Sequence, residues 1–357
     1  MKSLISSWNG QSVVVSFDQP TETWMFIAIH DTTLGPAMGG CRMMAYDRPE
    51  DGLRDAMRLA EGMTYKWATI GFDLGGGKSV LATSRPLEGA EREGLFERFG
   101  SLIDSLRGTY ACGADLGTTP HDMEVIGRST KYVHGVNREQ GSLIDPGPYT
   151  ALGVLSGMKA ALRQVFGNDD FAGRSIFIQG AGDVGYPLGE MVAEAGGTVI
   201  VTDMDAAKAQ ELADATGGSV VPPLDCYTTP CDVYAPCAVG ATLNAKTIPL
   251  LTCSIVAGSA NNQLAEEEDA GRLHERGILY APDYVINAGG ATALPLLDAG
   301  KATPDEVRDR IRGFDTILFE IFQESEANSV PPLVGAKRAA DRVLEQAGRQ
   351  TGANTRS

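Results

Sequence analysis

Long apolar runs, an excess of basic charge and paired cysteines are all missing from this chain, and each absence excludes a class of function. No run approaches the roughly 18 apolar residues that cross a bilayer. The opening Met1-Lys2-Ser3-Leu4-Ile5-Ser6-Ser7-Trp8-Asn9 has no continuous apolar core of the kind a secretory leader carries, so a cytoplasmic location is expected. Lys and Arg number 30 against 46 Asp and Glu, for a formal net charge of -16. Nucleic acid and anionic membrane both require a basic face, so neither is an expected partner. The six cysteines (Cys41, Cys112, Cys226, Cys231, Cys237, Cys253) contain no C-x-x-C pair, and the four histidines form no ligand pattern. No metal site is expected, and the thiols read as reduced.

Glycine is abundant instead, 43 in 357 residues, beside 43% hydrophobic content. That balance suits an α/β chain rich in tight turns and long enough for two domains. Three of these glycines are consecutive, Gly75-Gly76-Gly77, and Lys78 follows them, twelve positions after Lys66. Either they form a flexible turn, or they let backbone approach a ligand on which Lys78 acts. A nucleoside-triphosphate loop is excluded, because its first glycine would have to occupy the position of Phe72.

Residues 13–17 and 24–30 read as strands, followed by a tight loop over 34–42 that holds Gly39 and Gly40. Leu53, Ala56, Met57, Ala60 and Met63 recur at helical spacing, predicting an amphipathic helix over 51–66. Lys66 near its end serves either a ligand or the helix dipole. A buried strand is expected over 79–82. Asp115 stands alone in a small, apolar stretch, either as a chemical group or as the cap of a helix starting near Pro120.

The second half opens with a dinucleotide pattern. A strand over 174–179 runs into Gly180-Ala181-Gly182-Asp183-Val184-Gly185, a helix over 184–195 follows, and a strand over 198–202 ends at Asp203. Gly180 makes the turn, Gly182 admits a pyrophosphate, and Gly185 lets helix meet sheet, with the helix N-terminus favouring phosphate. Asp203 suits ribose hydroxyls and repels a 2′-phosphate. Met204 and Asp205 offer no arginine for that phosphate, so NAD is expected rather than NADP. Strands over 232–237 and 254–258 continue the doubly wound pattern. Asn261 and Asn287 sit at strand tips, as turn residues or as partners for a nicotinamide carboxamide or amino acid. Helices are expected over 264–275, 304–324 and 334–347.

Ordered motifs along 14–342 resemble the glutamate/leucine/phenylalanine/valine dehydrogenases, and within them the short leucine, valine and phenylalanine branch. The carriers are Thr33-Leu34-Gly35-Pro36-Ala37-Met38-Gly39-Gly40, Gly62-Met63-Thr64-Tyr65-Lys66, Gly75-Gly76-Gly77-Lys78 and Asp115-Leu116-Gly117-Thr118. Ala235-Pro236-Cys237-Ala238, Ala257-Gly258-Ser259-Ala260-Asn261-Asn262-Gln263 and Tyr280-Ala281-Pro282-Asp283-Tyr284-Val285-Ile286-Asn287-Ala288-Gly289-Gly290 complete them. The resemblance implies an N-terminal α/β catalytic and oligomerisation domain over 1–140 and a Rossmann NAD-binding domain over 141–325. It implies C-terminal helical residues 326–357 packing back on the first domain, and homo-oligomers from dimer to octamer.

The implied reaction is reversible, NAD-dependent oxidative deamination of an L-amino acid to a 2-oxo acid and ammonia. Lys66 matches the lysine that pairs with the substrate carboxylate, Lys78 the catalytic lysine, and Asp115 the acid that works with it. Gly39, Gly40 and Asn287 match positions beside the substrate. Thr150, Gly180, Gly182, Asp183, Val184, Gly185, Asp203, Cys237, Ala238, Ala260 and Asn261 match cofactor positions. Met38, Gly113, Ala291 and Leu294 match the side-chain pocket. Glutamate-specific relatives place a lysine where this chain has Met38, so a second substrate carboxylate would go unpaired. Gly113 and Ala291 stand where leucine-type members carry larger residues, which favours a phenylalanine-sized or other aromatic side chain, with leucine and valine next. Departures are Cys41 in place of a common threonine, the linker over 145–149, and Pro295, which is expected to shorten or kink its helix. The reading of another class is a catalytically silent NAD-binding regulatory or assembly protein, disfavoured because Lys66, Lys78 and Asp115 are all retained.

Overall fold

The computed structural model describes residues 2–137, 142–298 and 300–354. The chain divides into two compact units: Met1–Ile144 with Leu297–Lys301 and Ala340–Ser357, and Asp145–Leu296 with Ala302–Ala339. The boundary expected at 140/141 falls on residues outside that description. Residues from 326 were expected to join the first unit, yet they belong to the second as far as Ala339. The reason is their packing: Leu318, Ile321, Phe322 and Ala336 share a core with Ala151, Val154 and Met158.

The first unit is built on β1 (Ser12–Asp18), β2 (Thr23–Asp31), β3 (Ala37–Ala45), β4 (Gly75–Thr83) and β5 (Tyr110–Ala114), in the order β1-β2-β4-β3-β5. β2 is antiparallel to β1 and β4, while β3 is parallel to β4 and β5. Its faces follow the two-residue alternation of strands. Phe26, Ala28, Val80 and Ala82 meet α1 (Pro49–Thr69) through Leu53, Ala56, Met57 and Ala60. Met25, Ile27, Cys41, Leu81 and Cys112 meet α2 (Gly89–Ser105) and α3 (Pro120–Ser129).

Two expected loops are strands. Gly75–Gly77 lie inside β4, buried along their whole length, and Gly39 and Gly40 lie inside β3. A Cβ on Gly76 would collide with Thr64 and the Ala60 carbonyl of α1, and one on Gly77 would come 2.8 Å from the Tyr110 ring. Absent side chains here let a helix and an aromatic ring close onto the sheet, which neither the turn reading nor the ligand reading anticipates.

The second unit is a parallel sheet of β6 (Ser175–Gln179), β7 (Thr198–Thr202), β8 (Ser219–Val220), β9 (Val233–Pro236), β10 (Ile255–Val256) and β11 (Leu279–Tyr280). Its order, β8-β7-β6-β9-β10-β11, is the doubly wound Rossmann arrangement. Ile176, Ile178, Val233 and Ile255 face α4 (Gly147–Phe166) and α5 (Gly185–Glu194); Phe177, Tyr234 and Val256 face the opposite core. The helix expected over 304–324 is two, α6 (Pro304–Arg312) and α7 (Phe314–Ala327), parted at Gly313. The helix Gly289–Asp298 runs through Pro295 and on for three residues, so that proline does not end it.

Candidate active site

Strand alternation in the first unit brings Met38, Gly40 and Arg42 of β3 to one face with Lys78 of β4 and Gly113 of β5. Gly40 lies opposite Gly113, and Met38 opposite Ala111. Just past β5, Asp115 turns its carboxylate onto Lys78, and Oδ2 accepts from Nζ. The two side chains are 12% and 5% exposed. Arg42 Nε donates to the other oxygen, Oδ1, at 2.9 Å. Burial pushes the Asp115 carboxyl up, but the charges of Lys78 and Arg42 and their hydrogen bonds outweigh it and hold it down at about 2. Asp115 is therefore a carboxylate through the whole physiological range. It is not the cap of α3: Thr119 is, accepting from the Asp122 amide in a reciprocal capping box.

Gly40 stands directly over this pair. A Cβ there would lie 2.7 Å from Asp115 Cβ and 3.0 Å from Lys78 Nζ. Lys66 is buried in the last turn of α1, the position a helix dipole favours for a cation. Next to it, Trp67 Nε1 donates to the Met38 carbonyl at 3.0 Å, tying α1 to β3.

In the second unit, Gly180 takes φ +104° and donates its amide to the Thr202 carbonyl at 2.8 Å. A Cβ on Gly185 would strike the Gly180 carbonyl, while one on Gly182 would meet nothing within 4 Å. The fingerprint thus divides its work as expected: turn, open approach, close packing. Asp183 and Val184 lead into α5, with Val184 at its N-cap. Asp203, at the tip of β7, accepts from the Ala181 and Asp205 amides at 2.8 Å each, which fixes its orientation. A Cβ on Gly180 would touch Ala238, and Cys237 donates its amide to Gln179. The Ala260 amide donates to the Pro236 carbonyl at 2.9 Å. Asn287 Nδ2 donates to the Ser259 carbonyl at 3.1 Å and to Asn261 Oδ1 at 2.7 Å, and Thr150 Oγ1 accepts from the Gly290 amide at 3.1 Å. Ala291 and Leu294 sit one turn apart on the helix Gly289–Asp298, both half-buried. Open backbone at Gly182 and an oriented carboxylate at Asp203 fit a dinucleotide without a 2′-phosphate.

Comparison with known proteins gives the same answer. Family models described as "Glu/Leu/Phe/Val dehydrogenase, dimerisation domain" and "Glutamate/Leucine/Phenylalanine/Valine dehydrogenase" match residues 18–132 and 200–352. Leucine dehydrogenase of Bacillus subtilis (strain 168) is 40% identical, across 96% of this chain and 93% of that protein. The chain belongs to the Glu/Leu/Phe/Val dehydrogenases. Phenylalanine dehydrogenase of Lysinibacillus sphaericus is 38% identical, over 96% and 90% of the two chains. The crystal structure of L-tryptophan dehydrogenase from Nostoc punctiforme superposes with a TM-score of 0.83 at 35% identity, covering 98% of this chain and 100% of that one. Members are NAD-dependent oxidoreductases acting on the CH–NH2 group of amino acids, and so is this dehydrogenase.

Sequence reasoning missed Arg42, Asp55 and Tyr46. Arg42 Nη1 donates to Asp55 Oδ2 at 2.9 Å, and the Tyr46 hydroxyl donates to the same oxygen at 2.8 Å. A loop over 34–42 gives the Arg42 side chain no direction that a pattern could reveal. Read as strand, its two-residue step from Gly40 would have put it on the same face as Lys78.

Proposed function

We propose that this dehydrogenase catalyses reversible oxidative deamination of an apolar L-amino acid, with an aromatic side chain slightly preferred and leucine and valine next. The carrying observation is the buried Lys78–Asp115 pair with Gly40 left bare above it. Lys66 pairs with the substrate carboxylate. Bound through the fingerprint, Asp203, Thr150, Cys237, Ala238, Ala260 and Asn261, NAD supplies the hydride acceptor. Lys78 Nζ first hands a proton to Asp115 Oδ2, and the neutral amine then takes the proton of the water that adds to the iminium carbon, while Asp115 Oδ2 passes its own proton to the departing amino group. Gly39, Gly40 and Asn287 border the substrate.

Met38 and Gly113 are diagonal neighbours on one sheet face, and Ala291 and Leu294 share one helical turn. None bears a charge, so a glutamate side chain would leave its carboxylate unpaired, at several kcal/mol. Relatives named for leucine, phenylalanine and tryptophan support the apolar class. We further propose a cytoplasmic homo-oligomer assembled through the first unit, whose matching family model is described as a dimerisation domain and whose strand β1 exposes Val15 and Phe17. The test is the rate of NADH formation with L-phenylalanine, L-tryptophan, L-leucine, L-valine and L-glutamate. kcat/KM should be highest for an aromatic substrate and negligible for glutamate. A preference for glutamate, or no turnover with any of them, would overturn the proposal.

A further inference from the structure

Asp115 has two carboxylate oxygens, and each has its own cation. Oδ2 is held by Lys78 and Oδ1 by Arg42 Nε at 2.9 Å. Arg42 is itself anchored from behind. Its Nη1 reaches Asp55 Oδ2 on α1 at 2.9 Å, where the Tyr46 hydroxyl also donates at 2.8 Å, and Asp55 Oδ1 accepts from Arg58 at 2.8 Å. The Arg42 side chain is only 10% exposed. We propose that Arg42 is a positioning residue for the dehydrogenase reaction: braced by Asp55 and Tyr46, it pins Asp115 Oδ1 so that Oδ2 alone is presented to Lys78 and to the reacting amino group. This rests on the roles of Lys78 and Asp115 proposed above.

The reasoning is geometric. The last torsion of an aspartate is broad and roughly two-fold, so an unpinned carboxylate offers either oxygen in turn. A planar guanidinium can bond one carboxylate along its Nε edge and another at Nη1, which a lysine ammonium, a single point charge, cannot reproduce. Other titratable groups near Asp115 are Cys41 on β3, Tyr110 on β5 and Tyr46. Burial pushes all three up, Cys41 to about 12, so they are neutral near pH 7 and the two cations decide the state of Asp115.

Three variants test the assignment: Arg42→Met, Arg42→Lys and Asp55→Asn. Steady-state rates across pH would be measured beside a ¹³C NMR titration of the Asp115 carboxyl, which needs no turnover. Arg42→Met should lower kcat about 100-fold, the scale of a misplaced catalytic group, with the amino-acid KM and NAD binding nearly unchanged. Its acid limb and the Asp115 titration should both move to higher pH. Arg42→Lys should restore much of the pH profile but little of kcat, and Asp55→Asn should shift both readouts the same way by less. Wild-type kcat and an unmoved Asp115 titration in Arg42→Met would overturn the proposal. Should that variant not fold, an unmoved titration in Asp55→Asn would do so. A wild-type enzyme that turns over no amino acid would sink the reading it rests on, while the titration would still decide whether Arg42 controls Asp115.

Discussion

A buried charge persists only when an opposite charge and hydrogen bonds replace the water it lost. Lys78 and Asp115 satisfy that condition for one another, so either one alone should be costly and inert. Lys78→Ala should abolish amino-acid turnover while leaving NAD affinity intact, read by calorimetric titration of the folded variant; turnover near the wild-type rate would remove Lys78 from the chemistry. Gly40→Ala is the subtler change. Its methyl would lie 2.7 Å from Asp115 Cβ, pushing the pair apart without touching the hydrophobic core. We expect kcat to fall about 100-fold, and the Tm to fall as well, because the buried ion pair is forced apart. At the tip of β7, Asp203→Ala should weaken discrimination against NADP, measured as the ratio of kcat/KM for the two cofactors; an unchanged ratio would count against the ribose role.

Among the elements, the seam between α1 and β4 shows how glycine can mean opposite things a short distance apart. Gly76 faces backbone atoms of α1, whereas Gly62, inside α1, has nothing within 4 Å of its missing Cβ. Gly76→Ala should therefore lift the helix off the strand and destabilise the first unit by about 2–3 kcal/mol. Gly62→Ala should stabilise by roughly 0.5–1 kcal/mol, through lower chain entropy in the unfolded state. Calorimetric melting of the two variants checks both signs, and a Gly76→Ala protein as stable as wild type would refute the close-packing account.

For the whole molecule, acid should act unevenly. Asp18, Asp55, Asp115 and Asp122 in the first unit and Asp232 in the second all have carboxyls held below the ordinary range; in each, burial raises the value and salt bridges and hydrogen bonds overcome it. A carboxyl depressed by folding adds stability above its unfolded value and loses it as pH falls through the folded one. For Asp115 that window runs from about 4 down to about 2, and the loss is on the order of 2 kcal/mol. Among the described residues, four of these partly buried groups lie in the first unit and one in the second, so the first unit should open before the second between pH 4 and 2. Hydrogen exchange resolved by segment would show this, and simultaneous opening, or the second unit first, would contradict it.

Much of this protein was legible in its sequence because local chemistry sets it. The fingerprint 180–185 with Asp203 needs only a strand, a turn and a helix in series, and each leaves a mark on neighbouring residues. Lys66, Lys78 and Asp115 stood out because charge is conspicuous in apolar surroundings. What only the tertiary structure decided depends on strands distant along the chain. The glycines of 75–77 read as a turn or as an approach to a ligand because nothing local reveals the helix and the aromatic ring pressed against them. Gly313 divides a continuous helical pattern into α6 and α7, a break that apolar spacing alone does not show. Arg42 meets Asp115, with Asp55 and Tyr46 bracing it from behind, only after β3, α1 and β5 come together, and no spacing within one segment encodes that meeting. Periodicity determines which face of an element is apolar; register across a sheet determines which charges meet on it.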